Sequence, residues 1–225
     1  MRELERRYTR IPAEVRAESD GKTITGYAAM FRKESSNLGG FVEEIDPAAF
    51  NKSKGDGWPD VLARYNHDDN FLLGTTHAGT LRLALDEHGL TYEVDPPKAR
   101  ADVLELVARG DVTKSSFAFR TFEDDWAQTD QGFPKRTLLR VQLVDVAPVN
   151  LPAYPDTSAG LRSLARHVEA PYEDVRELAE RDELRRLFTR TDNRGPAPAD
   201  PPRITPEQAR VRLLALRNSP YGGQA

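Results

Sequence analysis

The chain has 225 residues, no cysteine, and a formal net charge of −4 from 32 basic and 36 acidic residues. The absence of cysteine excludes disulfides, a cysteine nucleophile and a zinc site built on thiolates. It is also typical of an intracellular protein. The near balance of charges argues against a face that binds nucleic acid. The lack of any run of about 18 apolar residues argues against a membrane span, and the first residues lack the apolar run of an export signal.

Alternating apolar and polar residues, broken by turn residues, predict a mostly β core with several short helices. The first strand, KTITGYAAMF, contains Gly26, where we expect a bulge or a close backbone approach. The row DEHG predicts a hairpin loop, and the row VLELVA has the apolar spacing of a helix. In chain order, we predict strands at residues 22–31 and 41–45, an apolar strand VLARY that ends before Asn66, further strands at 73–85, 89–94, 114–122, 135–145 and 146–149, and helices at 47–51 and 101–109.

The character of the sequence changes after about residue 160. We therefore predict one folded domain at residues 22–160, preceded by an extension at 1–21 and followed by a tail at 161–225. Within the tail, residues 169–190 form a charged pattern with a narrow apolar stripe, which predicts a helix. The row TDNRGPAPADPPRITPEQ then predicts an extended proline-rich linker, and a last short helix, PEQARVRLLALR, follows.

Histidine is the usual general base of a hydrolase, and the chain contains four histidines. His67 stands where the apolar strand VLARY gives way to polar residues, a position where a side chain is held firmly and still meets solvent. His77 lies in a loop-like stretch, His88 in the predicted turn and His167 beyond the core. His67 is therefore the best candidate base; the alternative is a surface histidine in a turn rich in Asn and Asp.

The row GDVTKSSFAFR contains two candidate nucleophiles on one predicted strand. Because side chains alternate along a strand, Ser115 shares a face with Phe117 and Phe119, whereas Ser116 lies on the opposite face. If the phenylalanines point into the core, Ser116 is the hydroxyl that can meet a histidine. The alternative is a strand that begins with two ordinary serines.

Four rows, ITGYAAMF, YNHD, GDVTKSSFAF and LVDVAPVNLPAYPDT, occur here in an order and at separations that resemble the prohead maturation proteases of tailed bacteriophages. The resemblance covers about residues 22–160. It implies that His67 is the general base and Ser116 the nucleophile. Ala118 replaces the glycine that is usual in the family. The replacement affects how closely the backbone near residue 118 can approach a substrate.

The resemblance also implies a third catalytic residue, Asp145, which would orient the imidazole and stabilise its cationic form. Ala147 stands where the family commonly has serine. Two alternatives remain: Asp145 is merely solvated or paired with an arginine such as Arg140, or Asp68 orients the histidine instead.

The family is similar in fold to the herpesvirus capsid protease, so the resemblance implies a closed antiparallel β-barrel surrounded by short helices, with a helical and proline-rich C-terminal tail. It implies a serine endopeptidase without a cofactor that cleaves the scaffold or the N-terminal extension of the major capsid protein inside the assembling prohead, in the host cytoplasm. Self-cleavage is expected in the linker at residues 193–203, and a homodimer is expected from the related viral enzymes. Neither nucleic acid nor a membrane is an expected partner.

Two other functions compete with this interpretation. A capsid scaffold or assembly factor with a protease-like fold and no turnover would account for the charged tail helices. A metal-dependent hydrolase using His67, Asp68 and Asp69 is disfavoured, because adjacent residues on a strand point to opposite faces and do not all reach one ion.

Overall fold

The computed structural model describes residues 3–8, 16–17, 22–150 and 157–188. Within those ranges no helix is both long and apolar enough to cross a lipid bilayer. The described residues form ten strands and four α-helices: β1 (Glu5–Tyr8), β2 (Arg16–Ala17), β3 (Ile24–Met30), β4 (Val42–Ile45), α1 (Asn51–Gly55), β5 (Leu62–Arg64), β6 (Leu72–Thr75), β7 (Leu81–Leu85), β8 (Gly89–Val94), α2 (Ala101–Ala108), β9 (Lys114–Gln128), β10 (Pro134–Val149), α3 (Ser158–His167) and α4 (Tyr172–Glu180).

The larger of two sheets is built around the long hairpin β9–β10. Its strand order is β1-β9-β10-β5-β6, and β4 pairs with another part of β10. β9 runs antiparallel to both β1 and β10, whereas β4 and β5 run parallel to β10. The strand that carries the two serines therefore lies between β10 and the edge strand β1.

The smaller sheet has the order β2-β3-β8-β7, and all of its strands are antiparallel. Its β7–β8 hairpin turns at the predicted place, where the Asp86 carboxylate accepts the backbone N–H groups of His88 and Gly89 at 2.8 and 2.9 Å. Gly89 has no room for a side chain, because a Cβ there would lie 2.0 Å from the Ala29 carbonyl oxygen. The close approach of β3 and β8 thus requires glycine at this point.

The main hydrophobic core contains buried side chains from both sheets, including Ile24 and Leu90 from the smaller one and Phe117 from the larger one. Phe117 stacks on Phe119, with ring centroids 4.9 Å apart, and meets the edge of Phe50 at 5.9 Å. Burying a phenylalanine side chain contributes roughly 2 kcal/mol. The inward face of β9 is therefore anchored by its aromatic residues.

A second buried cluster joins α3 and α4 to the far end of β9. Trp126 meets the edge of Phe41 at 5.1 Å and donates a 3.2 Å hydrogen bond to the Ser163 hydroxyl. Leu164 and Val175 are fully buried in the same cluster. The two helices thereby cover one end of the larger sheet.

The prediction of a mostly β chain with several helices is confirmed, but the part of the chain that the structure describes does not form the closed antiparallel barrel. In the described residues both sheets are open, and the larger one is mixed because β4 and β5 run parallel to β10. Alternation of apolar and polar residues does not separate a barrel from two packed sheets, since a strand buries one face in both.

Several predicted boundaries differ from the structure. The single strand at 73–85 is wrong: β6 belongs to the larger sheet and β7 to the smaller one. Strands 135–145 and 146–149 are one strand, β10, and the helix expected at 47–51 begins only at Asn51. A bulge, one of the two features expected at Gly26, lies instead between Tyr27 and Ala29.

The tail is described only in part. The helix predicted at 169–190 is α4, followed by a short 3₁₀ helix at Leu184–Leu187. The predicted linker and last helix lie outside the described residues. At the other end, β1 is a strand that the sequence analysis did not predict.

Candidate active site

Three side chains that the sequence analysis singled out meet on one face of the larger sheet. The Ser116 hydroxyl oxygen lies 2.6 Å from His67 Nε2, and His67 Nδ1 lies 2.6 Å from Asp145 Oδ1. Both distances are those of short hydrogen bonds. A hydroxyl, an imidazole and a carboxylate in this line form the arrangement by which serine hydrolases activate their nucleophile.

The pairing of β9 with β10 puts Ser116 and Asp145 on the same face. Ser116 lies opposite Ala147, and Asp145 lies opposite Ala118 two residues further along β9. The register shifts between Leu143 and Asp145, which marks a β-bulge in β10. Because Leu143 faces the core, a regular strand would turn Asp145 to the core as well, and the bulge redirects it to the side of Ser116.

His67 is positioned by a tight turn at the end of β5. The chain forms a short 3₁₀ segment, Tyr65–His67, in which Asn66 and His67 have positive φ angles of 53° and 57°. Such angles are unfavourable for residues with a Cβ and cost roughly 1–3 kcal/mol each. The Asn66 side chain is held in place because its oxygen accepts the Asn150 backbone N–H at 3.1 Å. The turn thus aims the imidazole at Asp145, which lies opposite Leu62 of β5.

Asp145 is completely buried, yet it has two partners that favour its charged form. Besides His67, the Arg64 guanidinium binds its second carboxylate oxygen. Burial opposes ionisation, but the hydrogen bond and charge interaction with His67, together with Arg64, outweigh it, so the pKa of Asp145 lies below its ordinary value. An ionised Asp145 only accepts, so His67 carries its hydrogen on Nδ1 and leaves Nε2 to accept the Ser116 proton.

Arg64 is the member of this cluster that the sequence analysis missed. Its guanidinium bridges Asp145 and Asp69, and its side chain is largely buried. The available signal was a lone arginine inside the apolar row VLARY, immediately before the turn that carries His67. A charge at a buried strand position requires a charged partner nearby.

The other candidate partners of the triad lie elsewhere. Arg140, considered as a partner of Asp145, binds Glu123 at 3.3 Å. Asp68, considered as an alternative to Asp145, accepts the backbone N–H of Asn70 at 2.8 Å. His67 thus contacts Asp145 rather than the carboxylate next to it in sequence.

Ser115 points away from the candidate site. It is fully buried, and its hydroxyl lies 2.8 Å from the Tyr92 hydroxyl of the smaller sheet. Burial raises the pKa of Tyr92, so the phenol stays protonated and the pair remains a neutral hydrogen bond. The two adjacent serines therefore lie on opposite faces of β9, as the alternation predicts.

A metal centre finds no support among the described residues, which contain no cluster of three or more His, Asp or Glu side chains able to hold an ion. In the row His67, Asp68, Asp69 the side chains diverge: the histidine contacts Asp145, and Asp69 contacts Arg64.

One comparison with known proteins returned a match. A sequence model of the family described as caudovirus prohead serine protease matches residues 11–170, a span that contains all three clustered side chains. No curated protein and no solved structure matched the chain. Because the family match spans well over half of the sequence, the chain belongs to the caudovirus prohead serine protease family.

Proposed function

We propose that this protein is a serine endopeptidase with Ser116 as nucleophile, His67 as general base and Asp145 as the residue that orients the base. The observation that carries the proposal is the continuous line of two 2.6 Å contacts from Ser116 through His67 to Asp145. Membership of the prohead serine protease family supports the same chemistry.

The geometry suits an acyl-transfer mechanism. His67 Nε2 takes the hydroxyl proton as Ser116 Oγ attacks the scissile carbonyl carbon, and the imidazolium that forms is stabilised by Asp145. His67 then gives the proton to the leaving amine, which leaves an acyl ester on Ser116. A water molecule, deprotonated by His67, hydrolyses the ester and restores the free hydroxyl.

Arg64 has a positioning role in this scheme. Its guanidinium occupies the Asp145 oxygen that His67 does not use, which fixes the carboxylate plane and leaves Oδ1 for the imidazole. A carboxylate with both oxygens bound keeps the histidine in one tautomer and one orientation.

The proposed setting is the assembling prohead in the host cell. There the enzyme would cleave the scaffold or the N-terminal extension of the major capsid protein, and its own chain as well, without a cofactor. The linker at residues 193–203, proposed for self-cleavage, lies outside the described residues. A homodimer remains a proposal from the related viral enzymes.

A fluorophosphonate probe tests the chemistry directly, because it phosphonylates only an activated serine. We expect intact-mass measurement to find one adduct on the wild-type chain and none on Ser116→Ala or His67→Ala. Peptide mapping should locate the wild-type adduct on the peptide that contains Ser116. Ser115→Ala is the matched control and should keep the adduct. Equal labelling of wild type and His67→Ala, with both folded by circular dichroism, would contradict the role of the histidine.

The second candidate, a non-catalytic assembly protein, is favoured by one observation. Ser116 is only 2 % exposed, so a substrate does not reach it in this conformation. Complete absence of labelling in a folded protein, including variants that expose Ser116, would support this second candidate.

A further inference from the structure

The Ser116 hydroxyl has a second hydrogen-bond acceptor that the catalytic scheme does not use. The hydroxyl donates a hydrogen bond to the backbone carbonyl oxygen of Arg7, in β1, at 2.8 Å, while His67 Nε2 lies 2.6 Å from the hydroxyl oxygen. A hydroxyl has one hydrogen, so the two acceptors compete for it. The Arg7 carbonyl also presents its oxygen, not its carbon, to the nucleophile. β1 therefore lies on the site as an unproductive peptide strand.

β1 has the position of a bound peptide as well. It is a four-residue strand at the edge of the larger sheet, antiparallel to β9, with Tyr8 opposite Ser116 and Arg7 opposite Phe117. Extended peptides commonly bind proteins by adding a strand to such an edge, with alternate side chains entering pockets. A substrate strand in the same place would bring its own carbonyl to Ser116.

The inward side chains of β1 enter a charged pocket. The Arg7 guanidinium binds the Glu43 carboxylate through Nε and Nη2, at 2.8 and 3.1 Å. The Glu5 carboxylate binds Arg136 at 2.6 and 3.2 Å. Arg6, which lies between them on the strand, is exposed. The pocket therefore binds an acidic side chain at Arg136 and, two residues later in the strand, a basic side chain at Glu43.

These contacts suit a strand that can be replaced. Both inward side chains of β1 are charged, and a buried ion pair contributes much less net stability than its contacts suggest, although it fixes register. Without β1, Glu43 keeps Arg136 as its partner at 2.9 Å, so no isolated buried charge is left. When β1 leaves, water can hydrate the charged groups of Glu43 and Arg136, whereas an apolar pocket would be exposed at a greater cost in free energy.

The same charges select one register. A strand shifted by two residues would bring its basic side chain to Arg136, where the like charges repel. Only the observed register puts the basic residue against Glu43 and its carbonyl against Ser116. Register and cleavage position are therefore set by the same two residues.

The groove continues beyond Glu5 as a cleft of about 610 Å³, whose lining includes Thr121, Arg136 and Arg162. Glu3 lies in this cleft and binds Arg162 at 3.2 Å. This pair is about half exposed, so it contributes less than the two buried pairs.

We propose that the edge of β9 beside Ser116 is the substrate groove, that Glu43 and Arg136 are its specificity-determining residues, and that β1 occupies it in this structure. The substrates are extended segments with an acidic residue two positions before a basic residue, cut after the basic one. Ser116 Oγ forms an ester with the carbonyl carbon of the basic residue, the next residue leaves as an amine with the proton from His67, and water then releases the new carboxyl end. This inference rests on the proposed peptidase function.

The first test measures access to Ser116 in the full-length chain. Arg7→Ala removes the side chain that fixes β1, so we expect fluorophosphonate labelling of Ser116 to be about 30-fold faster than in wild type, or more. Arg6→Ala is the matched control, because it removes the same charge from the same strand without touching the groove; we expect its labelling rate to equal that of wild type. Thermal unfolding of both variants verifies that they are folded.

The second test measures selectivity with two quenched fluorescent peptides of identical composition. One carries LERRYT, the row of this chain from Leu4 to Thr9, and the other carries LRREYT, with its acidic and second basic residues exchanged. We expect the Arg7→Ala protein to cut LERRYT after its second arginine, with kcat/KM about 30-fold higher than for LRREYT, or more. Adding Glu43→Gln should reduce that preference. In wild type the tethered strand should slow both reactions.

The outcomes separate the two proposals. Equal cleavage of the peptides, or labelling of Arg7→Ala no faster than that of Arg6→Ala, would overturn the groove while leaving a labelled Ser116 as support for the peptidase. Absence of labelling in wild type and Arg7→Ala alike would instead remove the peptidase, and the groove with it.

Discussion

Two buried charged clusters border β9, and they are held in different ways. In the first, Asp145 of β10 sits between Arg64, at the end of β5, and His67, in the turn that follows it. In the second, Glu43 of β4 and Arg136 of β10 are completed by two residues of the four-residue edge strand β1.

The two clusters differ in whether they can open while the rest of the protein stays folded. Opening the Asp145 cluster requires β5 or β10 to leave the sheet, whereas opening the Glu43–Arg136 cluster requires only β1 to detach. Edge strands are joined on one side only and separate first. The structure therefore combines a firmly held candidate site with an edge strand beside it that we propose to be exchangeable.

The largest effect is expected from removing the charge on the rigid side. In Asp145→Asn the amide no longer holds the correct histidine tautomer, and we expect kcat/KM for a cleaved peptide to fall about 10³–10⁴-fold. Asp68→Asn is the matched control, since Asp68 contacts Asn70 instead of His67, and should stay within a few-fold of wild type. A similar loss in both variants would mean that the carboxylate assignment is wrong.

A smaller effect is expected from Arg64→Gln, which leaves Asp145 in place and removes a neighbouring charge. Loss of a hydrogen bond to a charged group corresponds to roughly a 10–100-fold loss in rate. Because Arg64 helps to lower the pKa of Asp145, its removal raises that pKa towards the ordinary value, so the loss of folding stability in acid should be smaller in Arg64→Gln than in wild type. Equal losses of stability in acid, measured by urea unfolding, would exclude this role.

The same pKa predicts a dependence of stability on pH. The folded protein holds Asp145 below its ordinary pKa of 3.8, so the ionised carboxylate stabilises the fold. This contribution is complete above the ordinary value and is lost as the pH falls through the lowered folded value. Urea unfolding between about pH 2 and 5 should show a steeper acid decline in wild type than in Asp145→Asn. Parallel curves would contradict it.

On the exchangeable side, Glu5→Gln should have a moderate effect. Burial raises the pKa of Glu5, but the Arg136 charge and hydrogen bond, with Arg7 and Thr121, outweigh it and lower that pKa, so β1 docks with an ionised carboxylate. Removing the charge should speed fluorophosphonate labelling of Ser116 about tenfold. Glu3→Gln, whose partner Arg162 is half exposed, should change the rate little. Equal rates in the two variants would show that the buried pair does not hold the strand.

The smallest effect is expected in the tail. The linker row contains Asp192, Asn193 and Arg194, an acidic residue two positions before a basic one. If the groove selects this pattern, slow self-cleavage should give a fragment ending at Arg194, detected by intact mass over days. Arg203 is a control in the same linker, because a proline stands two positions before it. Cleavage after Arg203 but not after Arg194 would contradict the selectivity.

The candidate site was largely predictable from sequence, and its gaps have physical causes. Alternation along KSSFAF separated Ser115 from Ser116, the end of the apolar row VLARY pointed to His67, and the family resemblance supplied Asp145. Arg64 was not predicted because its partner, Asp145, lies 81 positions away in sequence. A local sequence pattern does not indicate a contact at that separation. The bulge that turns Asp145 towards Ser116 is likewise invisible in a row of alternating residues.

The fold class was predictable from sequence, but the pairing of the strands was not. β1 was missed because its row, ERRY, lacks the apolar alternation of a strand; its inward positions are filled by an ion-paired glutamate and arginine. The split of residues 73–85 into two strands was missed because alternation continues on both sides of the turn at 76–80. Such patterns report which residues are buried, and they leave open which strand lies beside which.

Processing of the capsid protein tests the central claim most directly. The protein, Ser116→Ala and Ser115→Ala would each be incubated with the major capsid protein that it accompanies, and the products measured by mass spectrometry. We expect a defined cut by wild type and by Ser115→Ala, and an intact capsid protein with Ser116→Ala. Cleavage that persists in Ser116→Ala, or that disappears only in Ser115→Ala, would contradict it.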